Sequence, residues 1–290
     1  MLSPQHLALN REAGIAAELI ASGVTLLGRA SYTRTGLYGQ AFFNLSIGFE
    51  RTTKLIYIAD YAIDNAGEFP SNDILKHSIG HDLDQLFTHV ETISTKRRKG
   101  KDFSERPRTD IHNGIVQTLT EFARSTRYYN LDFVTGGKTA QNSQDPMTAW
   151  NERVIEPIVR KHCTPARRKT IDKNAGIVSS MLPNATVRFV GEAGNVMESV
   201  YAASQRAGET EIITKWVPLY VLQLARWLTF LIDDLAQKGA YVCRIGALLG
   251  VGEHFAIFMN EDSYLKGRRT WSTYRPCCTD RSFGGEGWRV

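Results

Sequence analysis

The sequence predicts a mostly α-helical protein, built as an up-and-down helical bundle followed by a second, mainly helical region. Apolar residues recur at three- and four-residue spacing over long stretches. Gly, Pro and small polar clusters fall between those stretches. ATVRFVG (185–191) is the single segment that reads as a short strand.

Each element has a local reason. Residues 4–28 set Leu7, Ile15, Leu19 and Leu26 among alanines at helical spacing. Residues 36–65 place Phe42, Leu45, Phe49, Leu55, Ile56 and Ile63 on one stripe. Glu50 and Lys54 form an i,i+4 pair of favourable orientation there. Gly67 and Pro70 end that helix. Ser71 and Asp73 open a third helix carrying Leu75, Ile79, Leu83, Leu86 and Val90, the cleanest amphipathic signal in the chain. KRRKGKDFSERPRTD (96–110) is charged, holds Gly100 and Pro107, and reads as an exposed loop. A fourth helix is expected from Ile111 to Tyr129, with Ile115, Leu119, Phe122 and Ala123 inward. Gly136–Gly137 and QNSQDP form a further loop, and a fifth helix spans 146–162. Residues 164–195, bracketed by Pro165 and Pro183, are ambiguous. Helices return at 196–207 and 211–237, with a weaker helical stretch at 253–266. The expected organisation is a bundle over 1–140, a mainly helical region over 141–275 and an irregular tail over 276–290.

Composition narrows the class. At 42% hydrophobic and 22% charged, the 290 residues can build a core, which excludes global disorder. The most apolar long stretch, Trp216–Ile232, carries Pro218, Gln223 and Arg226, so it reads as a buried helix rather than a bilayer span. The opening MLSPQHLALNREAG has no charged head followed by an apolar run, so no signal peptide is expected. Cys163, Cys243, Cys277 and Cys278 lack zinc or disulfide-framework spacing. The expectation is a cytoplasmic protein with no membrane association, no cofactor and no metal. His77 and His81 stand at i,i+4, but H-E-x-x-H fails at Ser78. TGGKT (135–139) resembles the end of a phosphate loop, yet Asp132 replaces the required Gly and AQNSQDP continues as loop, so that reading is rejected.

The formal net charge of +5 is unevenly spread. Residues 96–170 hold 16 Lys/Arg against 8 Asp/Glu, or +8; the rest holds 19 against 22, or −3. The densest parts are Lys96, Arg97, Arg98, Lys99 and Lys101, then Arg160, Lys161, Arg167, Arg168 and Lys169. Such concentration is the footprint of a phosphate-backbone binder, and it is also common on solvated loops. Arg106 and His112 form a candidate metal-free ribonuclease pair, the His as acid or base and the Arg stabilising transition-state charge. GHDL (80–83) and RSTRYYNLD (124–132) supply a second polar set: His81, Asp82, Arg124, Arg127, Tyr128 and Asn130. Arg124 and Arg127 suit a helix C-terminus, and either can pair with Asp82 across the bundle.

Taken in order, FNLSIGFERTTKLIYI (43–58) with Glu50 and Lys54, then GHDLDQLF (80–87), then a helix ending in Arg127–Tyr128, resemble the HEPN (higher eukaryotes and prokaryotes nucleotide-binding) superfamily over residues 5–135. The resemblance implies a bundle of four or five helices. Many members are dimeric ribonucleases of toxin–antitoxin and antiviral defence systems that carry Arg-x(4–6)-His. Others lack the pair and serve as nucleotide-binding or interaction modules. Here Tyr129 stands where several branches have Pro, and Pro107 follows Arg106 where the active branch prefers a small or polar residue. What the resemblance implies is therefore an RNA- or nucleotide-binding or interaction protein, a homodimer, with a possible protein partner in a defence system. The alternatives are a metal-independent endoribonuclease using Arg106 and His112, and a purely structural helical scaffold.

Overall fold

A computed structural model describes residues 3–75, 80 and 82–272. The fold is mainly α, as expected. Helix α1 (Pro4–Leu27) begins at Ser3, whose side chain accepts from the His6 N–H at 3.1 Å, with Pro4 in the first turn. It packs along α2 (Gly36–Asp64) through its smallest residues. Ala13, Ala16, Ala17, Ala21 and Gly23 are buried with Ile20 and Val24. Leu7 and Ile15, two of the large apolar residues that marked this helix in the sequence, are exposed at 44% and 47%. The reason is steric: a Cβ on Gly48 would stand 2.9 Å from Ile20 Cγ1, and one on Gly23 would stand 2.6 Å from Leu45 Cγ. At these two points Ile20 and Leu45 fit only because glycine stands opposite them. On α2 the expected stripe of Phe42, Leu45, Phe49, Leu55 and Ile56 is buried, and Lys54 meets Glu50 at 2.8 Å.

Helix α3 (Leu83–Arg98) starts later than its pattern suggested. Residues 72–75 make a helical turn, Gly80 takes φ +67°, and Asp82 is the N-cap, accepting from the Asp84 and Gln85 N–H groups. Leu83, Leu86 and Val90 are buried as expected; Ile79, His77 and His81 lie outside the described residues. The segment 99–109 is not the free loop that its composition suggested. Arg98 and Arg106 are buried, Ser94 Oγ donates to the Ser104 carbonyl at 2.6 Å, and Phe103 stacks on Phe230 at 4.7 Å.

Helix α4 (Asp110–Arg124) is capped by Thr109 and ends five residues early, at Ser125. A 3-10 turn (Thr126–Tyr128) then leads into α5 (Tyr129–Thr135), which buries no residue. A short α6 (Lys138–Asn142) stands where a loop was expected. The expected fifth helix is present as α7 (Pro146–Trp150), a π-turn (Asn151–Ile155) and α8 (Glu156–His162). The ambiguous stretch becomes α9 (Pro165–Met181) and then a small antiparallel hairpin, β1 (Phe189–Val190) with β2 (Val196–Met197). Helix α10 (Val200–Gln237) runs unbroken for 38 residues where two helices were expected, with Pro218 inside it. After 3-10 turns at Gly246–Leu248 and Gly252–Met259 comes α11 (Asp262–Gly267).

Helix α10 is the central beam. Its Val217–Ile232 stretch is almost wholly buried, and the helix as a whole contacts α1, α2, α4, α8 and α9. One continuous apolar core runs from Ala13 to Trp271 and includes Trp150 and Trp227. No helix of the described residues is long and apolar enough to cross a membrane.

Candidate functional site

His112 sits in the first turn of α4 and is only 4% exposed. Thr109 Oγ1 is 2.7 Å from its Nδ1, and Gln223 Oε1 is 2.9 Å from its Nε2. Gln223 Nε2 donates to Asp262 Oδ2 at 2.8 Å, which turns the amide oxygen toward the histidine. The neutral ring with a proton on Nε2 satisfies every partner: Nε2–H donates to Gln223 and Nδ1 accepts from Thr109. Burial pushes this imidazole down to about 4, because the charged form would lose its water. Asp262 also meets Arg226 at 2.8 Å, and Arg226 lies over Phe103. The result is a chain of polar contacts, Thr109–His112–Gln223–Asp262–Arg226, that ties α4, α10 and α11 together.

Arg106 is likewise buried, at 8% exposure. Its guanidinium lies 5.0 Å over the Phe87 ring and 3.8 Å from Asp84. Desolvation lowers its affinity for its proton relative to a free arginine. Arg106 faces a cleft of about 700 Å³ with Asp82, Asp84, Arg108, Glu121 and Arg124; His112 does not line that cleft. The two residues of the candidate pair thus keep different partners.

The polar set from GHDL and RSTRYYNLD separates across two clefts. Asp82 pairs with Arg124 at 3.1 Å, as its helix-end position suggested, and both line the Arg106 cleft. Arg127, Tyr128 and Asn130 line a second cleft of about 690 Å³, between the start of α2 and the α4–α5 corner, with Gln40, Phe43 and Asn44. Arg127 lies 5.2 Å over the Phe43 ring, and Tyr128 is 63% exposed. After the corner, the Gly136 and Gly137 N–H groups donate to the Phe133 and Asp132 carbonyls, so the two glycine amides of TGGKT are engaged within the turn that ends α5.

The two basic runs fare unequally. Lys96 and Arg97 meet Asp60 and Asp64; Arg98 and Lys101 meet Asp234. Arg98 also donates to the Phe230 carbonyl at 3.0 Å and the Asp102 carbonyl at 2.5 Å. Lys99 has no ion-pair partner among the described residues. In the second run Arg167 meets Glu211 and Arg168 meets Glu209, while Lys161 stands over Tyr220. Arg160 and Lys169 are exposed. Among the described residues no three His, Cys, Asp or Glu side chains converge as a metal site would require.

Nothing local in the sequence marks Gln223 or Asp262 as partners of His112. The same holds for the buried Glu192, which joins Arg206 at 2.8 Å and accepts from Tyr38 at 3.4 Å. The one available signal was a polar residue inside an otherwise apolar run, as with Gln223 and Arg226. Comparison with family models, with curated proteins and with solved structures finds no match.

Proposed function

We propose that the chain is a HEPN-like binding module that takes RNA or a nucleotide in the cleft lined by Arg127, Tyr128 and Asn130, without acting as a ribonuclease. The observation that carries the reading is the composition of that cleft. Tyr128 and Phe43 offer aromatic faces for a base, Arg127 offers a guanidinium for a phosphate, and Gln40, Asn44 and Asn130 offer amides for base edges. Its volume of about 690 Å³ lies in the range of small-ligand sites. The order of elements, with Asp82 capping α3 and Arg127–Tyr128 following α4, supports the family resemblance.

The ribonuclease reading needs a histidine with a nitrogen free to reach substrate. His112 has both nitrogens engaged inside the protein. Fluorescence anisotropy with a labelled single-stranded RNA, with unlabelled nucleotides as competitors, tests the proposal. Wild type should bind at low salt and weaken as salt rises. Tyr128→Ala and Arg127→Gln should each weaken binding about tenfold, within the usual worth of a stacked base. Failure of wild type to bind either probe at low salt would overturn it.

A further inference from the structure

We propose a second ligand site, specific for a phosphate group, in the pocket between the end of α1, α10 around Pro218 and the end of α11. The pocket holds about 290 Å³, the size of a phosphate or a small phosphorylated molecule rather than of a polymer. Four cations line it: Lys215, Lys266, Arg268 and Arg269. Arg29 stands beside them, donating to Thr270 Oγ1 at 3.1 Å. The single carboxylate in the lining, Glu211, is already joined to Arg167.

How these cations are held sets the pocket apart. Many clustered cations elsewhere are matched with acids: Lys96 and Arg97 with Asp60 and Asp64, Arg98 and Lys101 with Asp234, Arg206 with Glu192 and Glu209. Here the anchors are neutral. Arg268 Nε donates to the Thr270 carbonyl and Nη1 to Tyr264 Oη, both at 2.7 Å, and the guanidinium lies 5.3 Å over Trp271. Lys266 Nζ stands 4.7 Å over the Trp216 ring, which itself stacks on His162 at 3.6 Å. Lys215 and Arg269 are exposed, and their side chains have no hydrogen-bond or ion-pair partner among the described residues. Like charges gathered without counter-charge repel one another. Fixing two of them on aromatic faces while leaving two free prepays the ordering and leaves the positive field for an incoming anion. Pro218, which lines the pocket beside Lys215 and Thr214, lacks the N–H that would bond the Thr214 carbonyl.

The aromatic anchors also supply the readout, because an anion drawing on Lys266 or Arg268 perturbs Trp216 or Trp271. The full chain is titrated with inorganic phosphate, pyrophosphate and a sugar monophosphate, which offers no base to the nucleotide cleft, at fixed ionic strength, following tryptophan fluorescence. At least one of the three should give a saturable change and raise the thermal midpoint, with chloride inert at equal concentration. If inorganic phosphate binds as tightly as the monophosphate, the ligand is free phosphate; if the monophosphate binds at least tenfold tighter, it is a phosphorylated small molecule. The double variant K215Q/R269Q should weaken binding at least tenfold while keeping the wild-type thermal midpoint in chloride. A surface control, K99Q/K169Q, should bind as wild type does. No saturable response from any of the three probes, or equal affinity in K215Q/R269Q, overturns the site. So does saturable binding only of single-stranded RNA. The nucleotide cleft is tested apart from this, since Arg127→Gln leaves the phosphate response here unchanged.

Discussion

At the scale of single residues, His112 and Arg98 show what burial does to groups that ordinarily face water. An unfolded histidine takes up its proton near 6.5, and His112 in the fold resists until about 4. Its folded affinity for protons is depressed, so the stability it contributes is complete above about 6.5 and is lost as pH falls toward 4. Linkage puts that loss at about 3 kcal/mol. Urea titrations at pH 7.5, 5.5 and 4.5 should show stability falling with pH in the wild type, and His112→Gln should flatten part of that slope. His162, also pushed down to about 4 by burial beside Trp216, adds to the slope in the same direction. Arg98 fails differently. Removing it leaves Asp234 with Lys101 alone and frees the Phe230 and Asp102 carbonyls, so Arg98→Met should cost about 1–3 kcal/mol, the range for buried acceptors left without a donor. Unfolding measured by circular dichroism decides it: a loss under about 1 kcal/mol would mean that this cation is a surface charge after all.

Helices meet through what they lack as much as through what they carry. Where α1 and α2 approach, a Cβ on Gly48 would stand 3.1 Å from the Ile20 backbone nitrogen, and where α4 meets the π-turn, one on Gly114 would stand 2.6 Å from the Arg153 carbonyl oxygen. Neither contact tolerates a methyl without moving backbone. Gly48→Ala and Gly114→Ala should each destabilise by about 1–3 kcal/mol, the usual penalty of overpacking. Ile15→Ser on the outer face of α1 should change stability by less than about 0.5 kcal/mol. Thermal melts of the three variants side by side test this ordering. The α1 pattern is legible in the sequence as a helix, but the large apolar residues that mark it do not mark its buried face: Leu7 and Ile15 are exposed, although large apolar residues are usually the buried ones. Alanine and glycine form the contact here because helix–helix distance, which no local pattern encodes, selects for small side chains. On α2 and α4 the bulky stripe and the buried face coincide, and Phe42, Leu45, Ile115 and Leu119 were placed from spacing alone.

For the molecule as a whole, α10 decides cooperativity. Leu222, Leu224, Leu228, Leu231 and Ile232 are fully buried, and α10 contacts α1, α2, α4, α8 and α9 at once. A fragment ending at residue 140 would lose that beam and expose the faces of α1 and α2 that it covers. Such a fragment should lack a cooperative thermal transition, whereas the full chain should unfold in one step by both near- and far-ultraviolet circular dichroism. Charge is also settled at this scale. The +8 carried by residues 96–170 is met in large part by Asp60, Asp64, Asp234, Glu209 and Glu211, all outside that segment. The clusters that drew attention as a phosphate-binding surface are thereby largely paired. Lys266, Arg268 and Arg269, which have no acid partner among the described residues, stand together in YLKGRRTWS (264–272), a stretch whose chemistry the linear charge count does not show.

The sequence by itself determined the helical class, the course of α1, α2 and the 146–162 helix, the Glu50–Lys54 pair and the buried character of Trp216–Ile232. Each depends on neighbours within a few turns, where spacing and capping act directly. Only the tertiary structure decided that His112 is held from 111 residues away by Gln223, that Arg98 is held from 136 residues away by Asp234, and that Arg127 and Arg124 face different clefts. Those outcomes depend on which distant side chains the folded chain brings within hydrogen-bonding distance. A charge or an imidazole takes its chemistry from that company, and no one-dimensional pattern records it.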